Sequence, residues 1–537
     1  MDSVQRCRAL VRHLNTHSRR HASSNNGPRD YNAAVAALNT LQSNFSIVEA
    51  IKKLGPGWNQ QALPEMREWA RRIGYEPSDF DTLNPVHIAG TKGKGSTSAF
   101  VSSILAQYLP TKRSIHVERL PSSVGLYTSP HLRFVRERIQ INNRPISEEI
   151  FAKYFWELWD RFENSRSVES EIIPRNSEGK PVYFHYLTLM ALHCYLEEKV
   201  GSAVIECGIG GEYDTTNILM KPSVTGITSL GMDHESLLGD TIESIAWHKA
   251  GIFKEDVPAF TVSQPDSALR VLRDRAAERR TELHVVPRHK AMGTIKLGLQ
   301  GDFQQTNASL AVAIAAQHLQ RLGYSGLPDP HDHASALPEE FVAGLGNARL
   351  GGRCDMRTDT KRDGLTWYID GGHNLESIEV AAKWFASAAN KPPSSPLTTR
   401  STRILLFNQQ TRDAGTLARR LHTTLATALD DNHPFQHAIF CPNVTYENAG
   451  YKADLVSMNT NAHDISSLKV QKDLAATWDK IDPDASVHVT GTIEEAVALA
   501  RSIAGESAGK VDVMSTGSLH LVGGLIEVLE SEIEAGK

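Results

Sequence analysis

The stretch from Val86 to Thr97, VHIAGTKGKGST, leaves this chain few folds to choose from. Val86, Ile88 and Ala89 form a short apolar run that predicts a buried strand. Gly90, Gly93 and Gly95 predict a flexible turn, and Phe100, Val101, Ile104, Leu105 and Tyr108 recur at helical spacing after it. A strand, a glycine-rich loop and a helix aim backbone N–H groups and the positive helix end at one spot, which suits a polyphosphate. Gly90, Thr91, Gly93, Lys94, Gly95, Ser96 and Thr97 are therefore the candidate polyphosphate-binding set, with Lys94 reaching the β/γ phosphates and the Ser96 hydroxyl placed for Mg²⁺. The spacing departs from the strict Walker pattern, because Gly95 separates Lys94 from Ser96 and only Thr91 and Lys92 separate Gly90 from Gly93.

The rest of the composition narrows the class of partner. At 537 residues the chain is long enough for about two to four domains. Its 57 basic and 62 acidic side chains leave a net charge of −5, so no bulk charge points to nucleic acid or to a membrane. Cys7, Cys194, Cys207, Cys354 and Cys441 contain no C-x-x-C pair, which argues against a disulfide framework or a zinc site and for a reducing compartment. No apolar run approaches the roughly 18 residues needed to span a bilayer, so the chain is read as soluble.

Taken in order, residues 1–30 carry Arg6, Arg8, Arg12, Arg19, Arg20 and Arg29 with Ser and His, and only Asp2 and Asp30 as acids. Such a start reads either as a mitochondrial transit peptide or as a disordered basic tail. Asn32 to Leu41 and Met66 to Ile73 predict scaffold helices. Ser123 to Tyr127 predicts a strand ending at Thr128, Ser129, Pro130 and His131, where Ser129 is either a metal or phosphate contact or a turn-capping hydroxyl. Arg133, Arg136 and Arg138 follow as a basic loop, and residues 160–181 read as a surface insertion.

Ala203 to Glu206 predicts a buried strand ending on an acid, the position where an α/β nucleotide protein places a Mg²⁺ ligand. Gly208, Gly210 and Gly211 follow, but Tyr213 stands where a dinucleotide fingerprint needs its third glycine. Val224 to Leu230 predicts a strand that delivers Asp233 and His234, and the helix Ile242 to His248 leads into Lys249, which by itself reads as a solvated helix-end cation. In a doubly wound sheet these strand ends share one edge, so Lys94, Ser96, Glu206 and His234 can converge. Gln304 and Asn307 open an apolar helix, either reading an adenine edge or capping the helix, and the local sequence favours the cap. His331 and His333 lie in a polar stretch that reads as a loop rather than a metal site. From Gly351 the pattern resets: strand Thr366 to Ile369 ends in Asp370, Gly371, Gly372, His373 and Asn374. A Pro/Ser/Thr-rich insertion spans Asn390 to Arg403, and further β and α segments imply a second parallel sheet.

Together HIAGTKGKGST, LYTSPHLRFVRERI, VIECGIGGEYDTTN, LGMDHESLLGDTIESIAWHKAGIFK, FQQTNA, DGGHN, LLFN with Arg412 and Asp413, and STGSLHLVGG resemble the folylpolyglutamate synthase family, within the ATP-dependent Mur-type ligases. The resemblance implies an α/β fold with a P-loop-containing, Mur-ligase-like N-terminal ATPase domain over 31–350 and a smaller Rossmann-like C-terminal domain over 351–537. It implies that Ser96, Ser129 and Glu206 hold one Mg²⁺, and that His234 and Lys249, the latter as a carbamate, hold a second. Gln304 and Asn307 would sit near adenine, with Arg353, Asp370 and His373 closing onto the nucleotide. Folate would lie in the inter-domain cleft near Thr128, Ser129, Pro130 and His131, and Lys94, His234, Lys249 and His373 would serve catalysis. Departures from the family pattern are Leu350-Gly351 for its Trp-Pro, Phe303 for a common His, and His248 for the acid before the carbamylated lysine.

The implied activity is that of a tetrahydrofolate:L-glutamate γ-ligase forming ADP. ATP converts the γ-carboxylate of a reduced folate to an acyl phosphate, and the glutamate amine displaces phosphate. The resemblance further implies ATP and Mg²⁺ as cofactors, with a monovalent cation such as K⁺ a further candidate, and a monomer; charge and hydropathy point to no nucleic-acid or integral-membrane partner, and the arginine-rich start gives cytoplasm and mitochondrion as the expected location. The competing readings are a dihydrofolate synthase and an inactive ATP-binding regulatory protein.

Overall fold

A computed structural model describes residues 28–42, 60–110, 122–165, 172–173, 179–389, 401–410, 413–446, 467–507 and 509–535. Residues 1–27 of the basic start, most of the 390–403 insertion and Arg412 lie outside the described residues. Two compact units emerge. The first holds the chain up to His131 together with Val135–Gly298 and Asp302–Leu350, and the second holds Leu132–Phe134, Leu299–Gly301 and the chain from Gly351. Among the described residues no helix is long and apolar enough to cross a membrane.

The first unit is built on eight strands: β1 Val86–Ala89, β2 Val124–Tyr127, β3 Ile139–Ile141, β4 Arg144–Pro145, β5 Ser202–Glu206, β6 Val224–Ile227, β7 Ala259–Val262 and β8 Leu283–Val286. They lie in the order β4-β3-β2-β5-β1-β6-β7-β8, parallel from β2 to β8 and antiparallel at β2-β3 and β3-β4. Strand β1 sits between β5 and β6, where the connections diverge to opposite sides, so the loop after it lies at a topological switch point. β1, β2, β5, β6 and β7 are buried along their whole length, hence their mostly apolar sequences, in which His87, Ser202, Glu206, Thr225 and Thr261 are the buried polar exceptions; edge strand β8 is half-exposed.

The helix Lys94–Leu105 that follows the glycine loop is buried on nearly every side. Packing is close enough that a Cβ at Gly344 would lie 2.6 Å from Ile104 Cα, and Ser103 Oγ donates to the Gly344 carbonyl at 2.7 Å. The polar stretch read as an insertion instead begins inside the helix Glu148–Asn164, whose Phe151, Phe155, Leu158 and Phe162 are buried. Arg29 pairs with Asp160 on this helix at 2.6 Å, and Asp30 caps the helix Tyr31–Asn39, so the basic start gives way to folded chain before residue 30.

The second unit carries β9 Asp355–Thr358, β10 Leu365–Ile369, β11 Thr402–Phe407, β12 His437–Phe440, β13 Ser486–Val489 and β14 Val511–Thr516. Their order is β13-β12-β11-β14-β10-β9, with only the β9-β10 pair antiparallel. Trp367, Ile369, Ile404, Leu406 and Val513 pack beneath the helices Ile493–Glu506 and Leu519–Ala535, and Leu132 joins this core. Cys194, Cys207, Cys354 and Cys441 are buried free thiols.

Candidate active site

Strand β1 delivers Gly90 with φ +145°, a backbone conformation open to glycine, and a Cβ there would overlap the Thr228 hydroxyl. Gly93, at φ +89°, caps the helix Lys94–Leu105, and a Cβ on it would run into Asn307 Oδ1. Between them the N–H groups of Thr91 and Lys92 both donate to Ser229 O at 3.0 Å, and Thr91 Oγ1 donates to Gly231 O at 3.1 Å. The loop after β1 is thereby fastened to the loop after β6, which carries Asp233 and His234.

Two lysines meet at one atom. Lys94 Nζ donates to the Gly90 carbonyl at 3.0 Å and Lys249 Nζ donates to the same carbonyl at 2.7 Å. Lys249 closes the helix Ile242–Lys249 but is buried, not the solvated cation that the local sequence suggests. Burial, followed by the nearby charge of Lys94, lowers its pKa to about 7. Its backbone is clasped by the glycines that follow β5. Glu212 N donates to His248 O at 2.6 Å, and a Cβ at Gly211 would lie 2.7 Å from both His248 O and Lys249 O.

Glu206 ends β5 almost fully buried, and its Oε2 accepts the Ser129 N–H at 3.1 Å. A Cβ at Gly95 would stand 3.5 and 3.6 Å from the two Glu206 oxygens, so the carboxylate lies against the first turn of the phosphate-loop helix. Ser96 Oγ accepts Gln304 Nε2 at 3.1 Å, and Gln304 Oε1 accepts Asn307 Nδ2 at 2.9 Å. The helix starts at Phe303 with no side-chain cap, so Gln304 and Asn307 are buried helical residues, neither loop nor cap. Their amides brace the phosphate loop.

One carboxylate and hydroxyl oxygens beside a loop shaped for phosphates are hard donors that suit Mg²⁺, which keeps part of its shell for water and phosphate. Among the described residues no group of three His, Cys, Asp or Glu is arranged to hold a metal ion by itself, so such an ion would rely on those further oxygens. His234 is left-handed at φ 54°, heads the short helix Glu235–Leu238, and has its N–H bound to Asp233 Oδ1 at 3.0 Å.

Thr128 N donates to Arg138 O at 3.1 Å, and His131 Nδ1 accepts Arg138 Nε at 2.8 Å; the Ser129–Pro130 bond between them is cis. The three arginines read as a basic loop are instead engaged. Arg133 pairs with Glu530 at 2.6 Å, Arg136 donates to Ile146 O at 3.2 Å, and Arg138 is buried. The sequence reading also missed a buried network behind the site. Asp214 accepts the N–H groups of Ile209 at 3.0 Å and Thr216 at 2.9 Å, while His87 Nε2 lies 2.8 Å from Thr216 Oγ1 and 3.1 Å from Cys207 Sγ. Burial pushes the Asp214 pKa up and lowers that of His87 to about 3. The signal for Asp214 was its place ahead of Thr215 and Thr216, an acid that caps the turn after it.

In the second unit Asp370 ends β10 and accepts the N–H groups of Cys354 and Gly372, each at 2.9 Å. Burial raises its pKa and the Arg353 charge opposes that rise. His373 Nδ1 lies 3.0 Å from Gly371 O, Gln409 Nε2 donates to Gly517 O at 2.9 Å, and Gly517 N donates to Gly372 O at 2.9 Å, the last two tying the segments after β10, β11 and β14 together. Arg353, Asp370 and His373 thus form a constellation of their own at the carboxyl edge of this sheet.

No protein-family model matches the chain. Folylpolyglutamate synthase of Saccharomyces cerevisiae strain S288c is 47% identical over 504 residues, covering 94% of this chain and 87% of the relative. Among solved structures, Mycobacterium tuberculosis folylpolyglutamate synthase complexed with ADP superposes with a TM-score of 0.65 at 21% identity, over 93% of this chain and 99% of that one. Folylpolyglutamate synthase from Thermotoga maritima gives 0.63 at 23% identity, over 93% and 97%. These two structures establish the shared fold. With the phosphate loop and the doubled lysine contact in place, the near full-length match to the yeast enzyme shows that this chain belongs to the folylpolyglutamate synthase family.

Proposed function

We propose that the chain adds L-glutamate to the γ-carboxylate of tetrahydrofolate and its polyglutamates, using ATP and releasing ADP and phosphate. The observation that carries this reading is the convergence of Lys94 and Lys249 on Gly90 O, with Glu206 against the same helix start. A carboxylate and an amine do not condense in neutral water, so the carboxylate is first phosphorylated by ATP. Lys94 would offset the charge that develops on the transferring phosphoryl group, and the backbone N–H groups at the start of the helix Lys94–Leu105 would orient the phosphates, those of Thr91 and Lys92 being already bound to Ser229 O. The glutamate amine then attacks the acyl phosphate, forming the amide and expelling phosphate.

Ser96, Ser129 and Glu206 would hold one Mg²⁺, and His234 with carbamylated Lys249 a second; the ions supply charge neutralisation to the phosphates when bound. The lowered pKa of Lys249 favours the carbamate, since only the neutral amine adds CO₂, releasing one proton as the N–C bond forms. Gln304 and Asn307 fix the Ser96 hydroxyl. A location in cytoplasm and mitochondrion is proposed on the acid-poor, arginine-rich start alone.

Mass spectrometry of products tests the reading, with ATP, Mg²⁺ and glutamate offered alongside tetrahydrofolate in one reaction and dihydropteroate in another. Successive glutamyl additions to tetrahydrofolate alone support it. A single addition to dihydropteroate would move the assignment to a dihydrofolate synthase, and ATP binding without product would make the chain a regulatory protein.

A further inference from the structure

The phosphate loop contains two lysines that point to different tasks. Lys94 Nζ turns back to the Gly90 carbonyl inside the loop, whereas Lys92 Nζ lies 3.3 Å from Asp233 Oδ2. The pair is partly shielded, with side-chain exposures of 33% for Lys92 and 12% for Asp233. Asp233 uses its other oxygen, Oδ1, to accept the His234 N–H at 3.0 Å. His234 in turn holds a left-handed backbone at φ 54°, a conformation that is uncommon and strained for a residue with a Cβ, and its carbonyl accepts from Leu237 and Leu238 N at 2.9 Å. The backbone of Lys92 is itself pinned, through its N–H, to Ser229 O at 3.0 Å. One carboxylate therefore bridges the phosphate loop and the strained turn that presents His234.

We propose that Lys92 is a positioning residue: its ion pair with Asp233 fixes the turn that presents His234, so that the phosphate loop and the second metal position are set by one contact. This rests on the reading of His234 as a metal ligand, and the test below separates the two. Lys92 acts through Asp233 and His234 rather than on phosphate. Its loss removes the tie between Asp233 Oδ2 and the phosphate loop and lets the left-handed residue relax.

The experiment measures Mn²⁺ binding by electron paramagnetic resonance on the full chain saturated with the non-hydrolysable analogue AMPPCP, together with nucleotide affinity in the absence of metal. Lys92→Met and Asp233→Asn are each expected to weaken the weaker Mn²⁺ site by about 3- to 10-fold, with the double variant no worse than either single one. Lys92→Arg restores most of the affinity, and metal-free nucleotide affinity changes by less than about 2-fold. Tenfold weaker metal-free nucleotide binding in Lys92→Met with Mn²⁺ binding unchanged makes Lys92 a phosphate ligand and overturns the proposal, as does simple addition of the two single effects. His234→Ala provides the control. If it weakens the second Mn²⁺ site while Lys92→Met does not, the positioning role is wrong and the ligand reading stands; if His234→Ala leaves both Mn²⁺ sites intact, the ligand reading itself fails and takes the proposal with it.

Discussion

Lys249 Nζ lies 2.7 Å from the carbonyl oxygen of Gly90, across 159 positions of sequence. The helix Ile242–Lys249 and the loop after β1 are brought into register by this contact, and Lys94 shares its acceptor at 3.0 Å. Burial, and after it the repulsion between two ammonium groups around one carbonyl, lowers the Lys249 pKa to about 7, so the neutral amine is well populated at physiological pH.

That neutrality makes Lys249 testable by its chemistry. Lys249→Ala is expected to lower turnover by at least about 100-fold while ATP binding, followed by calorimetry, is retained. Depleting dissolved CO₂ should lower wild-type turnover and added bicarbonate should restore it. Full activity in carefully degassed, bicarbonate-free buffer would exclude the carbamate.

Gly90→Ala places a Cβ on a backbone at φ +145° and against Thr228 Oγ1. A loss of more than about 2 kcal/mol in denaturant-induced unfolding is expected, together with loss of nucleotide binding. Adding Thr228→Ala relieves the overlap but not the backbone strain, so the double variant should recover only part of the loss.

Gln304 is buried between Ser96 and Asn307. Gln304→Leu strands the Asn307 amide and frees the Ser96 hydroxyl, which should cost about 1–2 kcal/mol of stability and raise KM for ATP about 5- to 10-fold with a smaller change in kcat. An unchanged KM for ATP would show that Ser96 needs no bracing.

In the second unit, His433 Nδ1 lies 2.8 Å from the buried Asp482 Oδ1, and that carboxylate raises the His433 pKa above its ordinary value of about 6.5. A raised histidine pKa stabilises the fold fully below the unfolded value, and the stabilisation is lost as pH rises through the folded value. The Tm advantage of wild type over His433→Gln should therefore be largest below about pH 6 and shrink on going to pH 8. His422, 3.7 Å from the other Asp482 oxygen, is shifted the opposite way, by burial first and in part by the His433 charge, so a His422→Gln background is the control that isolates His433.

The sequence by itself determined the elements whose signal is local. Val86 to Thr97 spells a strand, loop and helix because a parallel strand buried on both faces is mostly apolar, His87 being the polar residue of β1, and because the turn after it holds glycines where a Cβ would meet Thr228 and Asn307. Glu206, Asp370 and His234 were legible for a related reason, as polar residues placed at or beyond the carboxyl ends of such strands. Strands β3, β4, β7, β8, β9 and β13 were not read: β8, β9 and β13 are half-exposed edge strands without a continuous apolar run, β3 and β4 are very short, and β7, though buried throughout, is a short run broken by Thr261. Partnership was decided only by the tertiary structure. That Lys249 is buried on Gly90 O, that Gln304 holds Ser96, that Arg138 serves His131, and that Lys92 reaches Asp233 all depend on which segments the sheet order sets side by side. A lysine or an amide carries the same local signal whether it ends in water or on a carbonyl, so only the packed fold could distinguish them.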